Sequence, residues 1–278
     1  MKDDKNSRPV GIFDSGLGGL CSLRGILEIL PGEDIIYFGD SGRVPYGSRS
    51  YETIIKYSIQ DIKFLQSKNV KMILISCGTV SSVAIDHLKE AFCEIPIIGV
   101  VEAACEKAVA KAKQTNNKKI GVIATEATIS RGAYKKHIKA IDKNCEVYEK
   151  ACPLFVPLVE YGHTGDDGIT KMAAEKYLRE FKDLGLSSLV LGCTHYPMIK
   201  NIIRGVIGDG VELIDVGLEA AYGLKRELGE RGLLNGSEKK GVPYIYVSDE
   251  PLNFSRTASN FLGFDVKGGV MRVDIEKY

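Results

Sequence analysis

Short apolar runs alternate along the chain with longer segments in which apolar residues recur at helical spacing. The runs are rich in β-branched residues and are bounded by small or polar ones, which is typical of strands buried on both faces. Alternation of such strands with helices predicts βαβ units in a parallel sheet. The predicted strands are Pro9–Phe13, Asp34–Phe38, Lys71–Ser76 and Ile95–Val101, and the predicted helices are Ser22–Leu30, Tyr51–Lys68 and Val80–Phe92.

The same kinds of element recur about 110 residues further along the chain. Three matches stand at offsets of 110, 115 and 116 residues, and a fourth match is looser. A nearly constant offset in the same order predicts two related α/β halves that face each other across a cleft. The matched pairs are Val10–Phe13 with Ile120–Ile123, Tyr46–Gly47 with Tyr161–Gly162, Cys77 with Cys193, and Pro96–Glu102 with Glu212–Glu219.

Composition and charge exclude several classes of partner. The chain has 278 residues and is 44% hydrophobic, which is enough for two domains of ordinary size. Its net charge is +1 without a dense basic stripe, so neither nucleic acid nor an anionic membrane is expected as a partner. No apolar run approaches a membrane span, and the polar residues 1–8 do not resemble a signal peptide. Seven cysteines without Cys-x-x-Cys spacing indicate reduced thiols in the cytoplasm.

Two cysteines stand at the ends of strand-like runs. Cys77 closes the run that begins at Met72, Cys193 closes the run that begins at Leu189, and a threonine follows each within two residues. Ligands bind at the carboxyl ends of strands in open α/β sheets, so the matched thiols predict one acid and one base facing a single substrate. A helix N-terminus after each strand is expected to lower the pKa of the thiol. The other five cysteines are expected to be structural.

Polar residues beside these thiols extend the candidate site. His195 lies two residues after Cys193, where an imidazole can hydrogen-bond the sulfur or carry its proton onward. Asp14 and Ser15 follow the first strand, and Glu160 is expected to hold the equivalent place in the second half. The glycines after Ser15 fit neither a dinucleotide loop nor a P-loop. A metal pair of Cys193 with His195 is the competing interpretation, but no second ligand pair has suitable spacing, so no metal is predicted.

An ordered set of motifs over nearly the whole chain resembles the glutamate racemase family. The stretches GCTHYP at Gly192–Pro197 and CPLFVPLVE at Cys152–Glu160 are the most specific of them. One position departs from the pattern, because Gly78 stands where the family usually has an asparagine that helps to hold the substrate. The remaining motifs are Asp14–Gly19, Pro45–Gly47, Cys77–Thr79, Thr125–Ile129 and Val247–Gly263.

The resemblance implies a cofactor-independent racemase that interconverts L- and D-glutamate and supplies the D-isomer for peptidoglycan synthesis. In the family's pattern Cys77 is the base for the D-isomer and Cys193 the base for the L-isomer. Asp14 assists the first thiol, whereas His195 and Glu160 assist the second. The implied substrate-binding residues, which would use hydroxyl and backbone N–H groups among others, are Asp14, Ser15, Tyr46, Gly47, Gly78, Thr79, Thr194 and His195.

The resemblance also implies how the chain is organised. The expected fold class is α/β, with two related doubly wound parallel-sheet domains and the active site in the cleft between them. Residues 1–98 and 213–278 would form the first domain, because the C-terminal segment resembles the family's return to it, and residues 99–212 the second. The family is often dimeric, which leaves a homodimer open. Two other functions also stay open: a racemase of another acidic amino acid such as aspartate, and a non-catalytic binding protein on this scaffold.

Overall fold

Two parallel sheets form the framework of the protein. The computed structural model describes residues 5–263, 266 and 269–278, apart from the side chains at 251–253, 256, 257 and 260. Within these residues the first sheet consists of β1 (Val10–Asp14), β2 (Ile35–Gly39), β3 (Met72–Ile75), β4 (Ile97–Gly99), β9 (Pro243–Val247) and β10 (Val270–Arg272). The spatial order is β10–β9–β2–β1–β3–β4, and all neighbours are parallel.

The second sheet repeats the central order of the first. Its strands in the described part of the chain are β5 (Lys119–Ala124), β6 (Glu146–Ala151), β7 (Ser188–Leu191) and β8 (Glu212–Asp215). Their order, β6–β5–β7–β8, matches β2–β1–β3–β4, and the neighbours are again parallel. The prediction of two related parallel-sheet halves is therefore confirmed. We refer to the parts of the chain around the first and second sheets as the first half and the second half.

Helices connect the strands and cover the sheets. Parallel neighbours need crossover connections, and most of the helices occupy these crossovers. The helices are α1 (Leu20–Ile29), α2 (Tyr51–Ser67), α3 (Gly78–Val83), α4 (Ile85–Ala91), α5 (Val101–Gln114), α6 (Glu126–Arg131), α7 (Ala133–Ile141), α8 (Phe155–Glu160), α9 (Gly168–Leu178), α10 (Lys200–Ile207), α11 (Val216–Glu230) and α12 (Pro251–Leu262). A 3₁₀ turn at Tyr46–Ser48 follows β2, and another at Tyr196–Ile199 follows β7.

Alternation of side chains along the strands divides the core in two. Ile12 and Leu74 belong to the larger cluster, which continues into the second half. Phe13 and Ile75 point to the opposite face of the sheet and belong to a smaller cluster, which includes apolar residues of α2, α3 and α4. All five residues of β1 are buried, as expected for a central parallel strand that is covered on both faces.

The two halves are joined through α11 and the C-terminal strands. Helix α11 follows β8 of the second sheet but packs against α1 of the first half and against α5. The chain then returns to the first sheet, where β9 pairs with β2 in the register Ile35 to Pro243. A boundary after residue 98 cuts β4 and one after residue 212 cuts β8, so strand pairing favours bounds just beyond these strands. The division into 1–98 with 213–278 and 99–212 stays a prediction.

Two local elements differ from the sequence-based expectation. The predicted helix Val80–Phe92 is two helices, α3 and α4, which meet at Ala84 with φ −120° and ψ −9°. Helical spacing continues across this break without a glycine or proline to mark it. The predicted strand Ile95–Val101 is shorter, and Val101 already begins α5, because a short apolar run does not distinguish a strand from a helix start. None of the described helices is long and apolar enough to cross a membrane.

Candidate active site

A cavity of about 310 Å³ lies where the carboxyl ends of the two sheets face each other. All eleven residues predicted for the site line it, so the structure brings the whole set together. They are Asp14, Ser15, Tyr46, Gly47, Cys77, Gly78 and Thr79 from the first half, and Glu160, Cys193, Thr194 and His195 from the second. The cavity is also lined by Val44, Pro45, Ser48, Thr125, Glu126, Pro153, Val156 and Pro157.

Equivalent strands carry the two thiols into this cavity. Cys77 follows β3 and is the residue before the first turn of α3, whereas Cys193 follows β7. Strands β3 and β7 occupy the same place in their sheets, directly beside β1 and β5. Both thiols are almost fully buried, with 5% of Cys77 and 7% of Cys193 exposed. One thiol from each half therefore reaches the same small cavity.

The Cys77 thiol is not acidified as the sequence predicted. Burial, together with the charge of the neighbouring Asp14, raises its pKa to about 12. The Ser15 hydroxyl, with its oxygen 3.5 Å from Sγ, and the backbone N–H of Val80 lower it only in part. The helix after Cys77 has only six residues, and its dipole does not offset the cost of placing a charge in a buried site. Cys77 is therefore a neutral thiol at neutral pH.

The other thiol belongs to a chain of three groups. His195 Nδ1 lies 3.7 Å from Cys193 Sγ, and His195 Nε2 lies 3.0 Å from Glu160 Oε1. Burial lowers the pKa of His195, but its hydrogen bonds to Cys193 and Glu160 outweigh burial and raise the pKa to about 10. His195 is therefore an imidazolium at neutral pH, donating one N–H to each partner. A positive charge therefore lies directly beside the Cys193 sulfur.

Glu160 reaches this position by a route that the sequence did not predict. It ends α8, the short helix after β6, and does not stand at a strand end equivalent to that of Asp14. The strand equivalent to β1 is β5, which ends at Ala124. The match between Tyr46 and Tyr161 also breaks down, because Tyr46 is buried and Tyr161 is 84% exposed.

Asp14 connects the two halves at the base of the cavity. Its carboxylate accepts the backbone N–H of Gly16 at 2.8 Å and the hydroxyl of Thr194, from the second half, at 3.4 Å. Burial raises the pKa of Asp14, and the positive charge of His195 offsets part of that rise. A buried carboxyl group in this position can bind an ammonium group or exchange a proton.

The hydroxyl group of Tyr46 is hydrogen-bonded to buried carboxyl groups of the first half and is not free to bind a substrate. It donates to Asp40 and lies 3.1 Å from Asp61 Oδ2. Arg43 binds both carboxyl groups, with Nε 2.7 Å from Asp40 and Nη2 3.1 Å from Asp61. Burial, together with the charge of Asp40, raises the pKa of Asp61 well above its usual range. Tyr46 therefore offers its ring and backbone to the cavity, and this buried network fixes the loop that carries it.

Thr125 and Glu126 are cavity residues that were not singled out as part of the site. Thr125 follows β5, in the place that Ser15 takes after β1. Its Oγ1 lies 3.1 Å from Thr79 Oγ1, so hydroxyls of the two halves meet at the cavity wall. The signal was present in the repeat, since the end of β5 corresponds to the end of β1. Among the described residues, no group of three or more His, Cys, Asp or Glu side chains is arranged to hold a metal ion.

Comparisons with known proteins identify the family and agree with the fold. The sequence matches the Asp/Glu/Hydantoin racemase family over residues 23–222. A glutamate racemase of Thermoanaerobacter pseudethanolicus is 44% identical over 273 residues, which cover 98% of this chain and 100% of that protein. The crystal structure of glutamate racemase from Francisella tularensis in complex with D-glutamate has a TM-score of 0.89 and 40% identity, over 98% of this chain and 100% of that one.

A second solved structure gives the same result at lower sequence identity. Glutamate racemase isoform RacE1 from Bacillus anthracis has a TM-score of 0.90 and 30% identity, over 97% of this chain and 98% of that one. The chain therefore belongs to the Asp/Glu/Hydantoin racemase family, and within it to the glutamate racemases, a class of amino-acid isomerases.

Proposed function

We propose that this protein interconverts L- and D-glutamate with two cysteine thiols and without a cofactor, and that the D-isomer serves peptidoglycan synthesis. The observation that carries the proposal is the pair of thiols, Cys77 and Cys193, which enter one cavity from opposite halves. Inversion at a carbon needs a proton to leave one face and another to arrive at the opposite face. Two facing halves with one thiol each meet that requirement.

The surroundings of the two thiols suggest which acts first on each isomer. The His195 imidazolium lies 3.7 Å from Cys193 Sγ, whereas Cys77 is buried as a neutral thiol. Cys193 then removes the α-proton of L-glutamate, and Cys77 delivers its proton to the other face to give D-glutamate. For the D-isomer the roles are exchanged. This assignment agrees with the family's pattern, in which Cys193 is the base for the L-isomer.

Binding of the substrate falls to hydroxyl and backbone groups. Among the described residues that line the cavity there is no lysine or arginine, and His195 provides the positive charge. The Ser15, Thr79 and Thr194 side chains and nearby backbone N–H groups would bind the two carboxylates. Asp14 would bind the ammonium group. Donors fixed around the α-carboxylate would also stabilise the carbanion, because its negative charge spreads onto that group.

We propose glutamate and not aspartate as the substrate because of a solved structure of a relative. The structurally similar Francisella protein, with matching length and fold, was crystallised with D-glutamate. The proposal includes a cytoplasmic location, where thiols stay reduced. It also includes a homodimer as the assembly, in line with the family.

The direct test is circular dichroism of L-glutamate incubated with the purified protein and no added cofactor. The ellipticity should decay to zero, and D-glutamate should give the mirror-image curve. L-aspartate is measured beside it under the same conditions. Faster turnover of aspartate than of glutamate would show that aspartate is the substrate. No change in ellipticity with either amino acid would overturn the proposal.

The roles of the thiols are tested by Cys77→Ser and Cys193→Ser. Each change should abolish racemisation in both directions, because each direction needs one base and one acid, and serine is too weak an acid to supply the anion. Exchange of the α-proton with D₂O should survive for one enantiomer only, and for opposite enantiomers in the two variants. Near-normal racemisation by either variant would make that cysteine structural. A crystal structure with D-glutamate should place the sulfurs about 7–9 Å apart, with the α-carbon between them.

A further inference from the structure

The first half meets the second half through bare glycine backbone at three places around the cavity. Gly18 follows β1, Gly47 lies in the turn after β2, and Gly78 begins α3. A β-carbon built on any of the three would meet atoms of the second half. None of the three has a positive φ, so their own backbone does not call for glycine. Glycine is needed there because atoms of the second half leave no room for a β-carbon.

The contact at Gly78 is with backbone. A β-carbon at Gly78 would lie 2.5 Å from the carbonyl oxygen of Gly192, whereas ordinary contact begins at 3.4 Å. The carbonyl of Gly192 has little freedom to move, because its own N–H is bonded to Ile123 at 2.7 Å inside the second sheet. A methyl group at position 78 therefore requires the halves to separate locally by about 0.9 Å, which is the difference between these two distances.

The contact at Gly18 is with the side chains that assist catalysis. A β-carbon there would lie 2.3 Å from Thr194 Oγ1 and 2.6 Å from His195 Nδ1. Thr194 is bonded to Asp14, and His195 is held by Cys193 and Glu160, so neither can turn away without breaking the site. Gly47 has a looser contact, with its β-carbon position 3.1 Å from Thr125 Cβ.

We propose that Gly18 and Gly78 are positioning residues that set how closely the two halves approach, and through that approach the separation of the two thiols. The proposal rests on the two-thiol function proposed above. Neither glycine has a side chain that could contact the substrate or a reacting atom. It acts by leaving room for the opposite half to reach contact distance. Gly47 is expected to contribute in the same way, but less.

Glycine at position 78 allows the two halves of this chain to approach more closely than a larger residue would. The family usually has asparagine there, and the Cβ of an asparagine would need the same 0.9 Å that a methyl group needs. The cleft of this protein is therefore tighter between positions 78 and 192 than an asparagine permits. Gly78→Asn should therefore lower kcat, although asparagine is usual in the family at this position.

The test uses Gly18→Ala and Gly78→Ala, with Gly47→Ala as the milder member of the series and Gly205→Ala as the control. Gly205 lies in α10 with no other atom within 4 Å of its β-carbon position, so alanine there meets nothing. The readout that does not depend on catalysis is alkylation by iodoacetamide, resolved by peptide mass spectrometry. Alkylation of Cys77 measures opening of the cleft, because Cys77 lines the cavity between the halves. Alkylation of Cys105 measures unfolding, because Cys105 is buried in the larger core cluster.

The expected result is faster alkylation of Cys77 in Gly18→Ala and Gly78→Ala, with Cys105 unchanged, because the added methyl group opens the cleft without unfolding the chain. The melting temperature should stay within a few degrees of wild type, since alanine at a permitted φ also restricts the unfolded chain. Racemisation kcat should fall on the order of 100-fold for a displacement near 1 Å. For Gly47→Ala, both kcat and the rate of Cys77 alkylation should lie between those of the wild type and those of Gly78→Ala. For Gly205→Ala, both should equal the wild-type values.

Two outcomes would overturn the inference: Cys77 alkylation equal to wild type in both variants, or an equal rise at Cys105. Failure of the proposed function looks different. In that case the wild-type protein would not racemise glutamate, while the contrast between Cys77 and Cys105 would still appear in the variants. The contact geometry and the chemistry are thereby separated.

Discussion

The contact between His195 and Glu160 leads to a prediction whose size can be worked out. Glu160→Gln keeps the shape of the side chain and one acceptor but removes the charge. A hydrogen bond to a charged group contributes about 1.5–3 kcal/mol, which corresponds to roughly 1–2 pKa units. We therefore expect the pKa of His195 to fall from about 10 in the wild type to roughly 8–9 in the variant.

The loss of activity should then depend on pH. At pH 7 the imidazole is protonated to about nine-tenths or more with either pKa, so kcat should stay within about twofold of wild type. At pH 9 the protonated fraction is about nine-tenths in the wild type, and roughly one-tenth to one-half in the variant. Since a neutral imidazole no longer places a positive charge beside the Cys193 sulfur when that thiol acts as a base, kcat at pH 9 should fall by about two- to tenfold.

The same residue affects stability, with a sign that follows from its raised pKa. The pKa of His195 is about 10 in the folded protein and 6.5 in an unfolded chain. Its stabilising contribution is therefore complete below pH 6.5 and is lost as the pH rises through about 10. In Glu160→Gln this loss should end at a lower pH, because the folded pKa is lower. Urea unfolding at several pH values between 6 and 10 measures both curves.

Carbon-13 labelling of the histidine rings gives the direct measurement. The protein has four histidines, so His195 can be assigned from the resonance that disappears in His195→Gln. Asp167→Asn is the matched control, because it removes the charge from another histidine–carboxylate contact of 3.0 Å, between Asp167 and His163 at the surface. It should leave the His195 titration unchanged. An unaltered His195 midpoint in Glu160→Gln, or an equal loss of kcat at pH 7 and pH 9, would refute the reasoning.

Two further predictions concern groups outside the reacting centre. Lys71→Met removes the partner of Glu33 from an ion pair in which both side chains are almost fully buried, and should lower the free energy of unfolding by about 3–5 kcal/mol. Adding Glu33→Gln should recover part of that loss, and an unchanged urea midpoint in the single variant would contradict the prediction. Tyr46→Phe removes the hydroxyl bound between Asp40 and Asp61 and should cost about 1–3 kcal/mol of stability while most of the racemase activity remains. A loss of activity without a loss of stability would mean that the hydroxyl acts on the substrate.

The sheets and the thiols could be predicted because local patterns determine them. Runs such as Met72–Ile75 are apolar throughout, which a strand covered on both faces requires. The repeat relation between Cys77 and Cys193 placed both at the ends of equivalent strands, and parallel strands end at a common edge. The cavity followed from these two facts, since residues at the edges of two facing sheets meet in the cleft between them.

The remaining features depend on contacts between distant segments. The break at Ala84 has no glycine or proline, so nothing in the local pattern marks it. Glu160 reaches His195 from the end of a short helix, and its sequence position alone suggested a strand end. The sequence around Cys77 suggested an acidic thiol, because a helix start follows it, but burial and the charge of Asp14 dominate. How deeply a group is buried is set by the whole fold and does not appear in its neighbours along the chain.

In the proposed mechanism the two thiols have different surroundings, although the reaction they catalyse has an equilibrium constant of one. L- and D-glutamate have equal free energies in solution, so kcat/KM must be the same in both directions. The cavity nevertheless favours the form in which Cys77 keeps its proton, because burial raises the pKa of that thiol to about 12. The D-isomer needs the opposite and less populated form, which raises its apparent KM by the inverse of that population. Its kcat must then exceed that of the L-isomer by the same factor, because once the D-isomer is bound, turnover returns the thiols to the form that the cavity favours.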